Sequence, residues 1–118
     1  MKRLLIVAMI LAATATPSFG YYLDGNELYQ KCSVNPSSST EYMDSSYCLA
    51  YILGVSDTLD TARANNKIDV CVPPGVQAQQ LKDVVLAYLR SRPSIRNLEA
   101  NILVVNALGD AWGCAAKR

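Results

Sequence analysis

The stretch SSYCLAYILGVSDTLDTARA, residues Ser45–Ala64, decides the fold. Apolar side chains recur along it at the spacing of an α-helix, and the stripe that they form consists of Cys48, Ile52, Val55, Leu59 and Ala62. A stripe with this period is typical of a helix that buries one face in a core. Asp44 precedes the stretch and is the expected N-cap. The sequence therefore predicts a long amphipathic helix over Ser45–Ala64.

Three further helices are predicted around this one. The first covers Gly25–Cys32 and begins with a capping-box pattern. Another covers Ala78–Ser91 and ends before Pro93, which cannot continue a helix. The last covers Leu98–Trp112 and is apolar nearly all round, which indicates a central helix or one shared with a second subunit. The expected fold class is all-α, a small bundle of about four helices.

A stripe of small residues lies on another side of the long helix. Its members are Ala50, Gly54, Asp57 and Thr61. A glycine inside a helix costs ~1 kcal/mol relative to alanine. The stripe therefore predicts a structural role for Gly54 and Asp57, in which a second helix packs closely and Asp57 bonds to a neighbour. The alternative is a binding notch centred on Asp57.

The first twenty residues have the features of a secretory signal peptide. Two basic residues open the chain, an apolar run covers Leu4–Ala15, and the small residues Ser18 and Gly20 precede the expected cleavage point. The apolar run is shorter than the ~20 residues that span a bilayer. We expect residues 1–20 to be removed, residues 21–118 to form a single domain, and the protein to be periplasmic.

An even number of cysteines in an exported chain indicates disulfides, and this chain contains four. They allow three pairings. A turn between the first two helices would bring Cys32 to Cys48, and the short connection between the last two would return Cys114 to Cys71. The expected disulfides are Cys32–Cys48 and Cys71–Cys114, contributing ~3 and ~4 kcal/mol by loop-closure entropy. The alternative for Cys71 is a reactive thiol activated by the following helix.

Composition argues against an enzyme. The chain contains no histidine, which excludes serine–histidine, cysteine–histidine and histidine–metal sites. The cysteine spacing lacks a metal-binding C-x-x-C pair, and the pair Asp57 and Asp60 is more typical of a solvated helix surface than of an acid–base site. Eleven Lys and Arg against ten Asp and Glu give no basic bias toward nucleic acid or membranes. We expect a binding protein without a cofactor.

Four motifs in order carry a family resemblance. They are YLDGNELYQKC at Tyr22–Cys32, YCLAYILGVSD at Tyr47–Asp57, CVPPGVQAQQL at Cys71–Leu81, and ANILVVNAL at Ala100–Leu108. Together they resemble the Tai family of type VI secretion amidase immunity proteins, over essentially the whole chain after the signal peptide. The resemblance implies a periplasmic, all-helical, disulfide-bonded protein, often a homodimer. Such a protein binds a peptidoglycan amidase toxin and plugs its cysteine–histidine cleft.

Two surfaces are candidates for contact with such a partner. The first is the connection between the second and third helices, which is stiffened by prolines and pinned at Cys71; its candidates are Asn65, Asn66, Lys67, Asp69, Pro73 and Pro74. A loop that is rigid before binding loses less entropy on docking. The second is a helix face formed by Lys82, Leu86 and Arg90, with Leu86 expected to be exposed. The alternative function is a small periplasmic chaperone or stress protein without a toxin partner.

Overall fold

Four α-helices make up most of residues 22–65 and 68–114, the part of the chain that the computed structural model describes. They are α1 (Gly25–Cys32), α2 (Glu41–Ala64), α3 (Ala78–Ser91) and α4 (Ala100–Trp112), with a 3-10 turn at Pro93–Ile95. Within the described residues there is no strand, and two isolated antiparallel bridges are the only extended pairings. The all-α prediction is confirmed. The predicted signal peptide, residues 1–20, lies outside the described residues.

Helix α1 has the predicted bounds because local side chains fix its start. The Asp24 carboxylate accepts a hydrogen bond from the Glu27 backbone N–H at 2.9 Å, and Glu27 accepts one from the Asp24 N–H at 3.1 Å. This capping box satisfies two backbone donors that a helix start leaves free. Next to it, a Cβ built on Gly25 would lie 2.7 Å from the Arg96 carbonyl oxygen and would collide with the Leu103 side chain. Glycine at this position therefore allows α1 to approach α4.

The starts of α2 and α4 differ from the sequence prediction. Helix α2 begins at Glu41, four residues early, and Asp44 lies in its first turn rather than capping it. Instead, Asp44 accepts a hydrogen bond from the Lys31 ammonium at 3.0 Å. Helix α4 begins at Ala100 rather than Leu98, because the preceding residues pair with the chain before α1. The Leu98 carbonyl accepts from the Gly25 N–H at 2.9 Å, which holds this segment extended.

The core is built around α4, which packs against the other three helices. It contributes the buried side chains Ala100, Leu103, Val104, Ala107 and Leu108. The facing helices contribute a similar set, which includes Leu28, Ile52, Leu81, Val85 and Leu89. The prediction of a central helix agrees with this packing, although Ile102 on the outer side of α4 is 46% exposed. Over residues 22–65 and 68–114, no helix has the length and apolar character needed to cross a membrane.

Two arginines close the connection between α3 and α4. The Arg92 guanidinium lies 4.1 Å from the centre of the Tyr88 ring and 3.2 Å from the Asp110 carboxylate, joining the end of α3 to the end of α4. The Arg96 Nε donates to the Leu89 carbonyl at 2.7 Å, where the last turn of α3 leaves its carbonyls free. The Arg96 guanidinium also stacks on the Tyr29 ring at 3.7 Å. One side chain thereby links α1 to α3.

The cysteines form two disulfides. Cys32 at the end of α1 is joined to Cys48 in α2, and Cys71 before α3 is joined to Cys114 after α4. These are the pairs that helix topology predicts. Because Cys71 is in a disulfide, the reactive-thiol alternative does not describe this structure.

The small-residue stripe on α2 is exposed, and no helix of the described residues packs on Gly54, so the predicted close approach of another helix does not occur within this chain. A Cβ built on Gly54 would meet no atom within 4 Å, and Asp57 is also exposed. The apolar stripe of α2 faces the core from a different side of the helix. The described chain therefore leaves Gly54 open to solvent.

Candidate partner-binding surface

The segment between α2 and α3 contains an exposed, well-defined turn. The Val76 N–H donates to the Pro73 carbonyl at 3.4 Å, and Gly75 has a φ of 89°. Proline at the second position and a positive-φ glycine at the third define a type II β-turn. Pro73, Pro74 and Gly75 are all exposed. The four residues Pro73–Val76, named here the proline turn, therefore present a preformed tip to solvent.

The base of the proline turn is tied to the end of α4. Beside the Cys71–Cys114 disulfide, the Cys71 N–H donates to the Trp112 carbonyl at 2.8 Å, and the Cys114 N–H donates to the Asp69 carbonyl at 3.3 Å. Val70 lies between these bonds and is buried in the core. The segment thus has a fixed base and an exposed tip.

A polar groove runs beside the proline turn. Its volume is about 370 Å³, and one wall is formed by α2 through Ser56, Asp57, Asp60 and Arg63. Asp60 and Arg63 form a surface ion pair at 3.3 Å. The other wall is the segment that carries the proline turn. Asp57, which the sequence assigned to helix packing, therefore lies next to the exposed tip.

The remaining loop candidates lie in different structural environments. Asn65 ends α2 and donates its side-chain amide to the Thr61 carbonyl at 3.0 Å. Asp69, Pro73 and Pro74 belong to the anchored segment and are exposed. Asn66 and Lys67 lie outside the described residues. Asp69 and the two prolines are thus exposed on one segment, whereas Asn65 lies in a helix cap.

The candidate face of α3 is engaged within the fold. The Lys82 ammonium donates to the Ser45 hydroxyl on α2 at 3.0 Å. A hydrogen bond from Arg90 is the main cause that lowers the pKa of Tyr29 on α1. Leu86 is partly buried and packs against the core, so the prediction that it is exposed is wrong. Lys82 and Leu86 are thus partly buried and Arg90 remains exposed, which leaves the proline turn, with three exposed residues, as the more accessible candidate.

A second, apolar surface was not assigned from sequence. A groove of about 530 Å³ runs between α2 and α4, and we name it the α2–α4 groove; it is lined by Ala50, Tyr51, Gly54, Val55, Thr58, Leu59, Ile68, Asn101 and Val105. Partial burial at its edge raises the pKa of Tyr51. The signal that could have located it was the apolar pattern on all sides of α4, combined with the small residues of α2.

The described residues contain neither a free thiol nor a cluster that could hold a metal ion. All four cysteines are in disulfides, which removes thiol nucleophiles. Among residues 22–65 and 68–114, no group of three or more histidine, cysteine or acidic residues could hold a metal ion. The arrangement offers an exposed turn, a polar groove and an apolar groove, all of which suit contact with another protein.

Comparison with known protein families agrees with this description. A family model described as Rap1a immunity proteins matches residues 24–114. The chain belongs to the Rap1a immunity protein family. This is a type VI secretion immunity family, so the implied partner is a protein toxin, and its members are generally inhibitors without catalytic activity. The Rap1a match spans all four helices and both disulfides. No curated protein matches the chain significantly.

Proposed function

We propose that the protein is a periplasmic immunity protein that binds a peptidoglycan amidase toxin delivered by type VI secretion and occludes its active site. Membership of the Rap1a family supports an immunity function and a toxin partner. The amidase is suggested by the Tai resemblance of the four sequence motifs. The signal-peptide pattern and the two disulfides support an oxidising, extracytoplasmic location.

The observation that carries the proposal is the geometry of the proline turn. An enzyme cleft is concave, so an inhibitor that fills it needs a convex element. The exposed tip formed by Pro73, Pro74 and Gly75 is such an element, and its base is fixed by the disulfide at Cys71. A segment already held in one conformation loses little entropy when it binds. The proline turn enters the toxin cleft, and the groove beside it, with Asp57, contacts the rim.

Binding to a purified amidase toxin tests this proposal. The variant Pro73→Ala/Pro74→Ala removes the two rings from the tip, and Gly75→Ala strains the positive φ of the turn. We expect each to raise the Kd on the order of tenfold or more, a change of ~1.4 kcal/mol in binding free energy. The matched control is Pro36→Ala, which alters another exposed proline and should leave the Kd unchanged.

Two further results bear on the proposal. Co-expression of the protein with the amidase in the periplasm should restore growth, and the Pro73→Ala/Pro74→Ala variant should restore it less. The proposal is wrong if no exported cell-wall hydrolase from the same organism binds with a Kd below micromolar. Suppression of client aggregation by the protein alone would then favour the chaperone alternative.

A second copy of the chain is the proposed occupant of the α2–α4 groove. Gly54 supports this proposal. The chain's own packing does not require glycine at this position, and the missing side chain allows a helix of another copy to approach closely. Analytical ultracentrifugation should find a dimer at micromolar concentration that Gly54→Leu converts to a monomer. Gln80→Leu, an equally exposed helix position outside the groove, should remain dimeric. A wild-type monomer at high concentration would contradict the dimer.

A further inference from the structure

The two disulfides have different surroundings. Cys32 and Cys48 both lie in helices and are buried, with Cys48 fully so. Cys71 and Cys114 lie in segments that are not helical, and both are partly exposed. Thiol–disulfide exchange requires a thiolate to reach one of the sulfur atoms, so access limits its rate. An external reductant therefore reaches Cys71–Cys114 more readily.

The contacts that would survive reduction also differ. On the Cys32–Cys48 side, α1 and α2 stay packed through the core, and the Lys31–Asp44 ion pair at 3.0 Å crosses the same contact. Their thiols would remain adjacent and would reform the bond. On the Cys71–Cys114 side, two backbone hydrogen bonds at 2.8 and 3.3 Å lie next to the sulfurs, and Val70 is buried while Val72 and Val76 pack against the core from partly exposed positions. This segment is not helical and its contacts are more open to solvent than those between α1 and α2, so it opens more easily and these thiols separate.

We propose that reduction of the Cys71–Cys114 disulfide releases the base of the proline turn and that oxidation fixes it; we call this disulfide the redox latch. A dithiol reductant attacks one sulfur with its thiolate, forms a mixed disulfide and releases the other cysteine as a thiol. The second thiol of the reductant then displaces the first cysteine. Two electrons and two protons pass to the protein, and the reductant leaves as its own disulfide.

Opening the latch frees the base of the proline turn while the helices remain packed. The tip keeps its prolines but loses the covalent link that fixes the segment to the end of α4. Binding then has to order this segment, which lowers affinity. A chain that has not been oxidised is therefore a weak inhibitor, and oxidation completes the binding surface. This consequence for affinity rests on the proposed function, whereas the selective opening does not.

Selective labelling tests the opening itself. The native full-length protein is incubated with increasing dithiothreitol, trapped with N-ethylmaleimide and mapped by mass spectrometry. We expect Cys71 and Cys114 to be labelled at a reductant concentration on the order of tenfold lower than Cys32 and Cys48. Labelling of all four cysteines together, or of Cys32 and Cys48 first, overturns the latch.

Hydrogen exchange tests the structural consequence of opening. In Cys71→Ser/Cys114→Ser, exchange at the hydrogen-bonded amides of residues 71, 76 and 114 should rise while α1 and α2 stay protected. The same amides should exchange faster in wild-type protein in which only the Cys71–Cys114 bond is reduced. Unchanged exchange there in the partly reduced wild type overturns the latch.

Binding tests the consequence for affinity. The Kd for the amidase should rise about tenfold in Cys71→Ser/Cys114→Ser and stay unchanged in Cys32→Ala/Cys48→Ala, measured at a temperature at which circular dichroism shows this control to be folded. If the wild type binds no amidase, the proposed function fails, while labelling and exchange still decide the latch. Equal binding by the wild type and Cys71→Ser/Cys114→Ser overturns the effect on affinity alone.

Discussion

The two disulfide-bonded regions of the molecule are stabilised in different ways. Around Cys32–Cys48, two helices pack on the core, the Lys31–Asp44 ion pair lies nearby, and the Lys31 ammonium sits 5.1 Å from the centre of the Tyr47 ring. Around Cys71–Cys114, one side chain, Val70, is buried, Ile68, Val72 and Val76 pack against the core from partly exposed positions, and a few backbone bonds complete the contact. The first disulfide adds to contacts that already hold the helices together. The second supplies order where the contacts are more open to solvent, and it does so next to the exposed turn.

The largest expected effect comes from removing the buried disulfide. Loop-closure entropy gives ~3 kcal/mol for the Cys32–Cys48 bond, and loss of two buried sulfurs adds ~1–2 kcal/mol of cavity cost. We expect Cys32→Ala/Cys48→Ala to lower the free energy of unfolding by ~4–5 kcal/mol, measured by urea titration. If the free energy of unfolding fell less than on removal of the Cys71–Cys114 bond, the buried disulfide would not be the more stabilising of the two.

Removing the partly exposed disulfide should cost less than its loop length suggests. The Cys71–Cys114 bond closes the longer loop, for which entropy gives ~4 kcal/mol, but the native segment gains freedom when it is cut. We expect Cys71→Ala/Cys114→Ala to lower the free energy of unfolding by ~3 kcal/mol. The helical circular dichroism signal should not change. A fall in helix content would show that this bond also supports the bundle.

Two glycines extend the comparison to backbone packing. Gly25→Ala places a methyl group against the Arg96 carbonyl and the Leu103 side chain, and such overpacking should destabilise the fold by ~2 kcal/mol. In the monomer, Gly54→Ala is the matched control, because the chain's own packing leaves the site open and alanine favours the helix by up to ~1 kcal/mol. Thermal unfolding of the two variants should therefore shift in opposite directions. The same sign for both would contradict the packing around α1.

The smallest effect concerns the ion pair beside the buried disulfide. Hydrogen bonds from Thr40 and Lys31 lower the pKa of Asp44 below its ordinary value of 3.8. A lowered pKa in the folded state stabilises the protein above the unfolded-state value, and this stabilisation is lost as pH falls through the folded pKa. Asp44→Asn should thus be slightly less stable than the wild type at pH 7, and the difference should shrink below about pH 4. Because the pair is partly exposed, the shift in melting temperature should be small. If the difference in stability between Asp44→Asn and the wild type did not depend on pH, packing rather than the charge of Asp44 would be its cause.

Local sequence signals predicted the helices that depend on local contacts. The bounds of α1 follow from the Asp24 and Glu27 side chains, and α3 ends before Pro93, so both helices could be read from neighbouring residues. The start of α2 was missed because Asp44 has the character of a cap, whereas its partner Lys31 lies on another helix. The start of α4 was missed because pairing with residues before Gly25 decides it.

The candidate site could be predicted only in part. The sequence PPG indicated a stiff loop at Pro73 and Pro74, and the turn itself follows from the same residues. In contrast, the amphipathic pattern of α3 could not show that Leu86 is partly buried against the core. Nor could the small residues around Gly54 show which neighbour, if any, lies against them. Periodicity identifies which side of a helix is apolar, but the arrangement of the other helices decides which sides are buried.

The positive φ of Gly75 has a consequence for kinetics. A turn that already has its final shape removes a conformational step from association, so two rigid partners can meet at rates set by diffusion and orientation, ~10⁵–10⁷ M⁻¹s⁻¹. An immunity protein that meets an incoming toxin has to act before the toxin reaches its target. For such a protein, speed of capture matters as much as the tightness of the final complex.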